Sequence, residues 1–205
     1  MFKEFKKKYK IIYADPPWFY NSGRNKHHKF KGGCRGHYPV MEFEDIYKMP
    51  ISDISDKDCA LFLWVTFPNL IQGIETINRW GFEYKTIAFN WMKTNKLTEG
   101  RLWLTVKDLF FGVGYYTKSN SEICLLGVKG KMKPISNSVS SAVLEPINRH
   151  SEKPAIIRDR IVDLYGDLPR IELFSRKNVN GWDSWGNEIN RPGFGVKKGV
   201  KLLII

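Results

Sequence analysis

An acid, two prolines and an indole stand in a row at Asp15-Pro16-Pro17-Trp18, where the apolar run Ile11-Ile12-Tyr13-Ala14 stops abruptly. These residue types suit the handling of a small amine. A Pro-Pro step leaves carbonyls with no neighbouring N–H to compete for them, so the Asp15 carboxylate and the Pro16 carbonyl can face one group with two donors, such as the exocyclic amine of adenine. Trp18 adds a flat face on which a base can stack.

The elements around this motif must place it. Ile11 to Ala14 is short, continuous and β-prone, as expected of a strand buried on both faces of an α/β sheet, and the prolines forbid ladder donation and a preceding helical residue. Asp15 is therefore expected at the carboxyl edge of the sheet, where open α/β sheets bind ligands. Cys59 to Val65 reads as a second buried strand. Asn69 is placed to cap a helix with the apolar face Leu70, Ile74 and Ile77 and with Gly81 as its terminator, and Thr86 to Met92 reads as a further strand. This strand, helix, strand succession builds parallel sheets. Phe43 to Lys48 suits a short helix, Glu122 to Val128 a strand, and Arg170 to Phe174 another. Pro154 suits the first position of a helix carrying Ile157, Ile161 and Leu164, which puts Lys153 at a helix start where it can hold a carboxylate.

The chain has 205 residues, enough to bury a core as one domain over 1–205, with a central portion at about 10–188, a basic lead-in at 1–9 and a tail at 191–205. Lys and Arg number 33 against 21 acids, a net charge of +12, which points to a polyanionic partner, most economically nucleic acid. Two polar, basic stretches are candidate phosphate contacts: Asn21 to Pro39, with Arg24, Lys26, Lys29, Lys31 and Arg35 among glycines, and Thr94 to Lys107, with Lys96 and Arg101, which Lys93 immediately precedes. The lysines of residues 1–10 read as a solvated lead-in or a phosphate-contacting arm.

The three cysteines are far apart and unpaired in pattern, and His27, His28, Cys34 and His37 match no common zinc spacing, so neither a disulfide framework nor a metal is expected. No apolar run reaches membrane-spanning length, and the start lacks the apolar core of a signal peptide. A soluble, cytoplasmic protein is the expectation, with no membrane partner.

From Lys10 to Glu188 the chain resembles the adenine-N6 methyltransferases related to the catalytic subunit of the eukaryotic mRNA methyltransferase, especially their short bacterial and phage members. The likeness rests on Asp15-Pro16-Pro17-Trp18, Leu63-Trp64-Val65-Thr66, Trp91-Met92-Lys93-Thr94-Asn95, Gly114-Tyr115-Tyr116-Thr117, Glu122 to Gly127, His150-Ser151-Glu152-Lys153-Pro154, Glu172 to Arg176 and Gly181 to Glu188. The resemblance implies a Rossmann-like α/β fold: a mostly parallel central sheet with helices on both faces, the catalytic motif preceding the cofactor-binding segment. It implies S-adenosylmethionine as cofactor. It further implies that Asp15 and Pro16 accept from the adenine amine beside Pro17 and Trp18, that Lys153 faces the methionine carboxylate, and that Asp15, Phe174, Arg176, Asn178, Asn187 and Glu188 surround the rest of the cofactor. Homodimers and heterodimers with a related subunit both fit such a family. The residues ahead of Asp15 do not include the Asp-apolar pair that the large eukaryotic members carry well upstream of the catalytic motif, and Ser121 stands where many relatives have histidine.

The function expected is methyl transfer to N6 of adenine by direct displacement, with DNA favoured over RNA and the target base flipped out. Asp15 argues against the cytosine-N4 enzymes of similar geometry, which usually carry Ser at that position. It also argues against a catalytically silent nucleic-acid-binding subunit, in which the acid is typically lost.

Overall fold

The computed structural model describes Phe2, Phe5 and residues 7–19, 41–96, 103–112, 116–148, 152–187 and 189. Its elements run β1 (Tyr9–Ala14), α1 (Phe43–Tyr47), β2 (Ser55–Val65), α2 (Leu70–Arg79), β3 (Glu83–Thr94), β4 (Ser121–Lys129), β5 (Ala142–Pro146), α3 (Ile156–Tyr165), β6 (Arg170–Leu173) and β7 (Asp183–Trp185). The strands form one sheet in the order β5-β3-β4-β2-β1-β6-β7. Only β4 runs against the others, pairing antiparallel with both β2 and β3, while β1 is central and parallel to β2 and β6. This is the mostly parallel α/β sheet that the sequence predicts.

The period-two alternation of strand side chains splits the core into two layers. Ile12 and Ala14 of β1, with Leu61, Leu63 and Val65 of β2, face Ile46 of α1 and Ile77 of α2. Ile11 and Tyr13, with Phe62 and Trp64, face Ile157 and Ile161 of α3. Helices thus cover both faces. Helix α2 lies close enough to the sheet that a Cβ on Gly127 would come within 2.8 Å of Ile77. As predicted, Gly81 ends α2, with φ at +82°, and its own and the Phe82 N–H groups return to Asn78 and Ile77 carbonyls.

Several expectations are corrected. Asn69 sits at the N-cap of α2, but its side chain makes no cap bond and donates instead to the Phe19 carbonyl at 3.5 Å. Helix α3 begins at Ile156, two residues later than Pro154 suggests, so Lys153 lies in the approach to the helix rather than at its first turn. Strand β3 begins at Glu83, and β2 at Ser55, because pairing with neighbours extends strands past their apolar centres. Strand β5 was not anticipated: at the sheet edge only Val143 is buried, so it carries no apolar signature. Strand β7, inside a polar Gly-Trp-Asp-Ser-Trp stretch, was hidden for the same reason. The N-terminal lead-in is not simply solvated. Phe2 is buried with its ring 5.2 Å from that of Trp185, and Lys7 pairs with Asp183 at 2.7 Å. No helix among the described residues is long and apolar enough to cross a membrane.

Candidate active site at the carboxyl edge

Register shows which residues meet. Ala14 lies opposite Leu63 on one side and Leu173 on the other, and Leu173 lies opposite Trp185. The residues that follow, Asp15, Trp64, Phe174 and Gly186, therefore arrive together at the carboxyl edge. Reversed β4 contributes its beginning to the same edge, with Glu122 opposite Trp91 on β3, and Lys93 follows two residues later.

Four charged side chains converge there. Lys153 Nζ is 2.7 Å from Asp15 Oδ2 and 3.3 Å from Glu122 Oε2, and Lys93 Nζ is 2.5 Å from Glu122 Oε1. The lysines also lie over indoles, Lys153 at 5.5 Å from the Trp64 ring and Lys93 at 5.2 Å from that of Trp91. Solvent reaches 8% of the Lys153 side chain, 17% of Glu122 and 29% of Asp15, so the chain of charges opens at the acid of the motif. Asp15 Oδ1 has no hydrogen-bond partner among the described residues.

Electrostatics follow from this layout. Burial raises the Asp15 carboxyl above the ordinary carboxylate range, with Lys153 opposing and Glu122 reinforcing the shift. Burial also penalises the Glu122 charge, but Lys153 and Lys93 together outweigh it and hold the carboxyl down at about 2. Lys153 loses hydration in the same place, yet Asp15 and Glu122 more than compensate and its ammonium is held more firmly than usual.

The rest of the motif is corrected in two respects. Trp18 is only 8% exposed and its indole N–H donates to the Trp64 carbonyl at 2.8 Å. It pins the motif to the end of β2 and is not an open stacking face. The Pro16 carbonyl is not uncontested either, because the Trp18 N–H folds back onto it at 2.8 Å; one lone pair is left for another donor. The Pro17 carbonyl accepts from Met41 at 3.0 Å, which ties the motif to the approach of α1.

Beyond β6 the chain turns sharply. Phe174 has φ of 61°, a left-handed conformation that costs a bulky residue roughly 1–2 kcal/mol. Its ring packs edge-on against Trp185 at 5.6 Å, and the Ser175 N–H donates to the Trp185 carbonyl at 3.0 Å. Gly186 closes the turn: a Cβ there would fall 2.1 Å from the Ser175 carbonyl. Arg176, Asn178 and Asn187 are exposed on this rim, and the Arg176 charge also bears on Asp15. Lys177 pairs with Glu152 at 2.7 Å, which straps this turn to the segment carrying Lys153.

The structure therefore brings together Asp15, Pro16, Pro17, Lys153 and the 174–178 turn. Lys93, expected on nucleic acid, is spent on Glu122 with its side chain only 16% exposed. Lys96 is exposed. Arg24, Lys26, Lys29, Lys31, Arg35, Arg101 and Glu188, and the histidines and Cys34 of the first basic stretch, lie outside the described residues. Glu122 received no role from the sequence. The available signal was an acid at the mouth of an apolar strand, which becomes meaningful only once that strand is known to run backwards.

The donor set fits a sulfonium nucleoside such as S-adenosylmethionine. A buried ammonium suits its carboxylate, carboxylates suit its cationic centre, and the aromatic and amide groups at 174–187 suit an adenosine.

Comparison with known proteins agrees with the geometry. Residues 9–188 match the MT-A70 family. The chain is 34% identical over 200 residues to a type II methyltransferase, M.MunI, of a Mycoplasma species, covering 90% of this chain and 79% of that one. It is 29% identical over 186 residues to the human N(6)-adenosine-methyltransferase catalytic subunit METTL3, and 26% identical over 182 residues to an MT-A70-like N(6)-adenosine-methyltransferase of Arabidopsis thaliana. These matches take in 89% and 88% of this chain but only 28% and 24% of those longer proteins. With the family match spanning the whole sheet and the acid of its motif set at the ligand edge, this chain belongs to the MT-A70 family of methyltransferases.

Proposed function

We propose that the protein transfers a methyl group from S-adenosylmethionine to N6 of adenine in DNA. The observation that carries this is the divided carboxylate of Asp15: Oδ2 is held by Lys153, and Oδ1 has no hydrogen-bond partner among the described residues, one residue before a Pro16 carbonyl that Trp18 uses only once. Two such acceptors, a carboxylate oxygen and a peptide carbonyl, match in number the two N–H bonds of an aromatic amine.

Such an amine is a poor nucleophile because its lone pair is delocalised into the ring. Accepting both N–H bonds at Asp15 Oδ1 and the Pro16 carbonyl favours a pyramidal nitrogen whose lone pair points away from them. The bound cofactor supplies a methyl activated by a sulfonium. A nitrogen–carbon bond forms as the sulfur–carbon bond breaks, and the proton that the nitrogen must shed has Asp15 Oδ1 as its first acceptor. Lys153 holds the methionine carboxylate and favours the ionised form of Asp15 against the effect of its burial. Phe174, Asn178, Asn187 and Glu188 hold the nucleoside end, with Arg176 at the rim.

Support for DNA comes from M.MunI, the relative that this chain parallels over most of both lengths, whose name is that of a type II methyltransferase. The net charge of +12 and the exposed Trp103, Tyr116, Lys107 and Lys118 on the described parts of 103–118 suit a phosphate backbone and unstacked bases. The relatives named as N(6)-adenosine-methyltransferases favour a second reading, RNA as the polymer. Incubating the protein with methyl-labelled cofactor and separate unmodified DNA and RNA pools, followed by nucleoside mass analysis, decides both base and polymer. N6-methyldeoxyadenosine is the expected product; label in neither pool, or only on cytosine, would overturn the proposal.

A further inference from the structure

The chemistry above uses Asp15 and Lys153, yet the buried cluster contains two more charges. Glu122 divides its carboxylate, giving Oε1 to Lys93 at 2.5 Å and turning Oε2 towards Lys153 at 3.3 Å. Lys153 sits between two carboxylates and touches each through one oxygen. Three of the four carboxylate oxygens thus pair with an ammonium, and the fourth, Asp15 Oδ1, has no hydrogen-bond partner among the described residues.

That asymmetry needs a cause. An ammonium with a single carboxylate beside it is free to settle across both oxygens, whereas a second anion on the far side draws it off centre. The backbone fixes where the second anion is, because Glu122 begins a reversed strand whose register with β2 and β3 is set by the ladders. Lys93 fixes its rotamer from the end of β3. The Trp64 and Trp91 rings beneath the two ammonium groups keep water from substituting for either pairing.

We infer that Glu122, held by Lys93, is a positioning residue that keeps Lys153 to one side of Asp15, so that one acid oxygen is neutralised and the other stays open to the amine. This rests on the amine-methylating role proposed above. Without the Glu122 charge, the pull that draws Lys153 away from the second oxygen of Asp15 is lost.

The test uses the full chain with Glu122→Gln, an isosteric change, and Lys93→Met. On the polymer that the wild type methylates, Glu122→Gln should lower kcat by about 100-fold, the size of effect that a one-ångström misplacement produces. Cofactor affinity, read by calorimetry, should move far less. Lys93→Met should act in the same direction more weakly, and Glu122→Asp should recover part of the loss. The charged and titratable groups facing Asp15 are Lys153, Glu122, Arg176 and the Cys124 thiol, so removing Glu122 takes away an anion and leaves the cations. The acid limb of the rate profile and the carbon-13 NMR titration of Asp15 in the ligand-free protein should therefore both shift to lower pH. A residue with a merely structural role would lower the melting temperature and leave kcat per folded molecule and the acid limb in place; that result overturns the inference. If Glu122→Gln does not fold, Lys93→Met at the edge of the cluster decides by the same readouts. A wild type that methylates neither polymer refutes the proposed function, whereas an unmoved Asp15 titration refutes the role of Glu122.

Discussion

Two clusters of buried charge lie on either side of β1, and they are built differently. On the α3 face, Arg158 meets Glu172 through two parallel bonds, Nε to Oε2 at 2.8 Å and Nη2 to Oε1 at 2.7 Å, with each side chain about 10% exposed. Every oxygen of that carboxylate is matched, and the guanidinium also stacks on the Tyr13 ring at 5.6 Å. Nothing is left over for a ligand. At the carboxyl edge, Asp15, Lys153, Glu122 and Lys93 share charge unevenly, and one oxygen of the more exposed acid has no hydrogen-bond partner among the described residues. Burial of charge therefore does not by itself mark a site. Incomplete pairing at an accessible edge is what distinguishes this cluster, because an acceptor there that the protein does not use can be reached by a ligand.

The contrast can be broken from either side. Asp15→Asn removes the acid that faces substrate and should cost about 10²–10⁴-fold in rate while circular dichroism stays unchanged; retained turnover would place the chemistry elsewhere. Arg158→Met should do the reverse, destabilising the fold by about 3–5 kcal/mol through an unpaired buried carboxylate while leaving kcat per folded molecule intact. Denaturant unfolding paired with rates measured well below the midpoint separates the two effects, and a loss of kcat would join the clusters into one.

Acidity sharpens the comparison further. Glu122 is held at about 2, below its ordinary 4.5, so its pairings contribute stability in full above the higher value and lose it as pH falls through the lower one. Thermal melts of wild type and Glu122→Gln should therefore differ most near neutrality and converge in strong acid. Lys153→Met should weaken cofactor binding by about tenfold or more, the worth of one charge-assisted hydrogen bond, with little change in secondary structure. Calorimetry checks this, and unchanged affinity would confine Lys153 to Asp15 alone. The smallest effect belongs to Trp18→Phe, which deprives the Trp64 carbonyl of its donor and should cost roughly 1 kcal/mol of stability.

Much of the frame was legible because it is periodic. The runs Ile11 to Ala14 and Cys59 to Val65 are apolar at every position because both faces of those strands are covered, and Gly81 ends α2 for a reason visible in its type alone. Strands β5 and β7 were not legible: short edge strands bury too little to leave a pattern, and their existence is decided by the neighbour that pairs with them. At the site, Asp15 could be placed from its prolines, since they dictate a chain ending. The partners of Lys153 and Lys93 could not be found, because they come from strands far apart in sequence whose directions no local feature reveals. The mistaken expectation for Trp18 has the same origin: an indole reads as a flat face until the carbonyl that claims its N–H is known.

Phe174 combines a strained backbone with a packed ring. Its backbone occupies a conformation that glycine would adopt without strain, so replacing it with glycine relieves the hinge after β6. The same exchange deletes the aromatic wall that the proposed nucleoside site requires. The ring's edge-on packing against Trp185 helps hold the strained turn, so the anchor of the hinge and the wall of the proposed socket are one side chain.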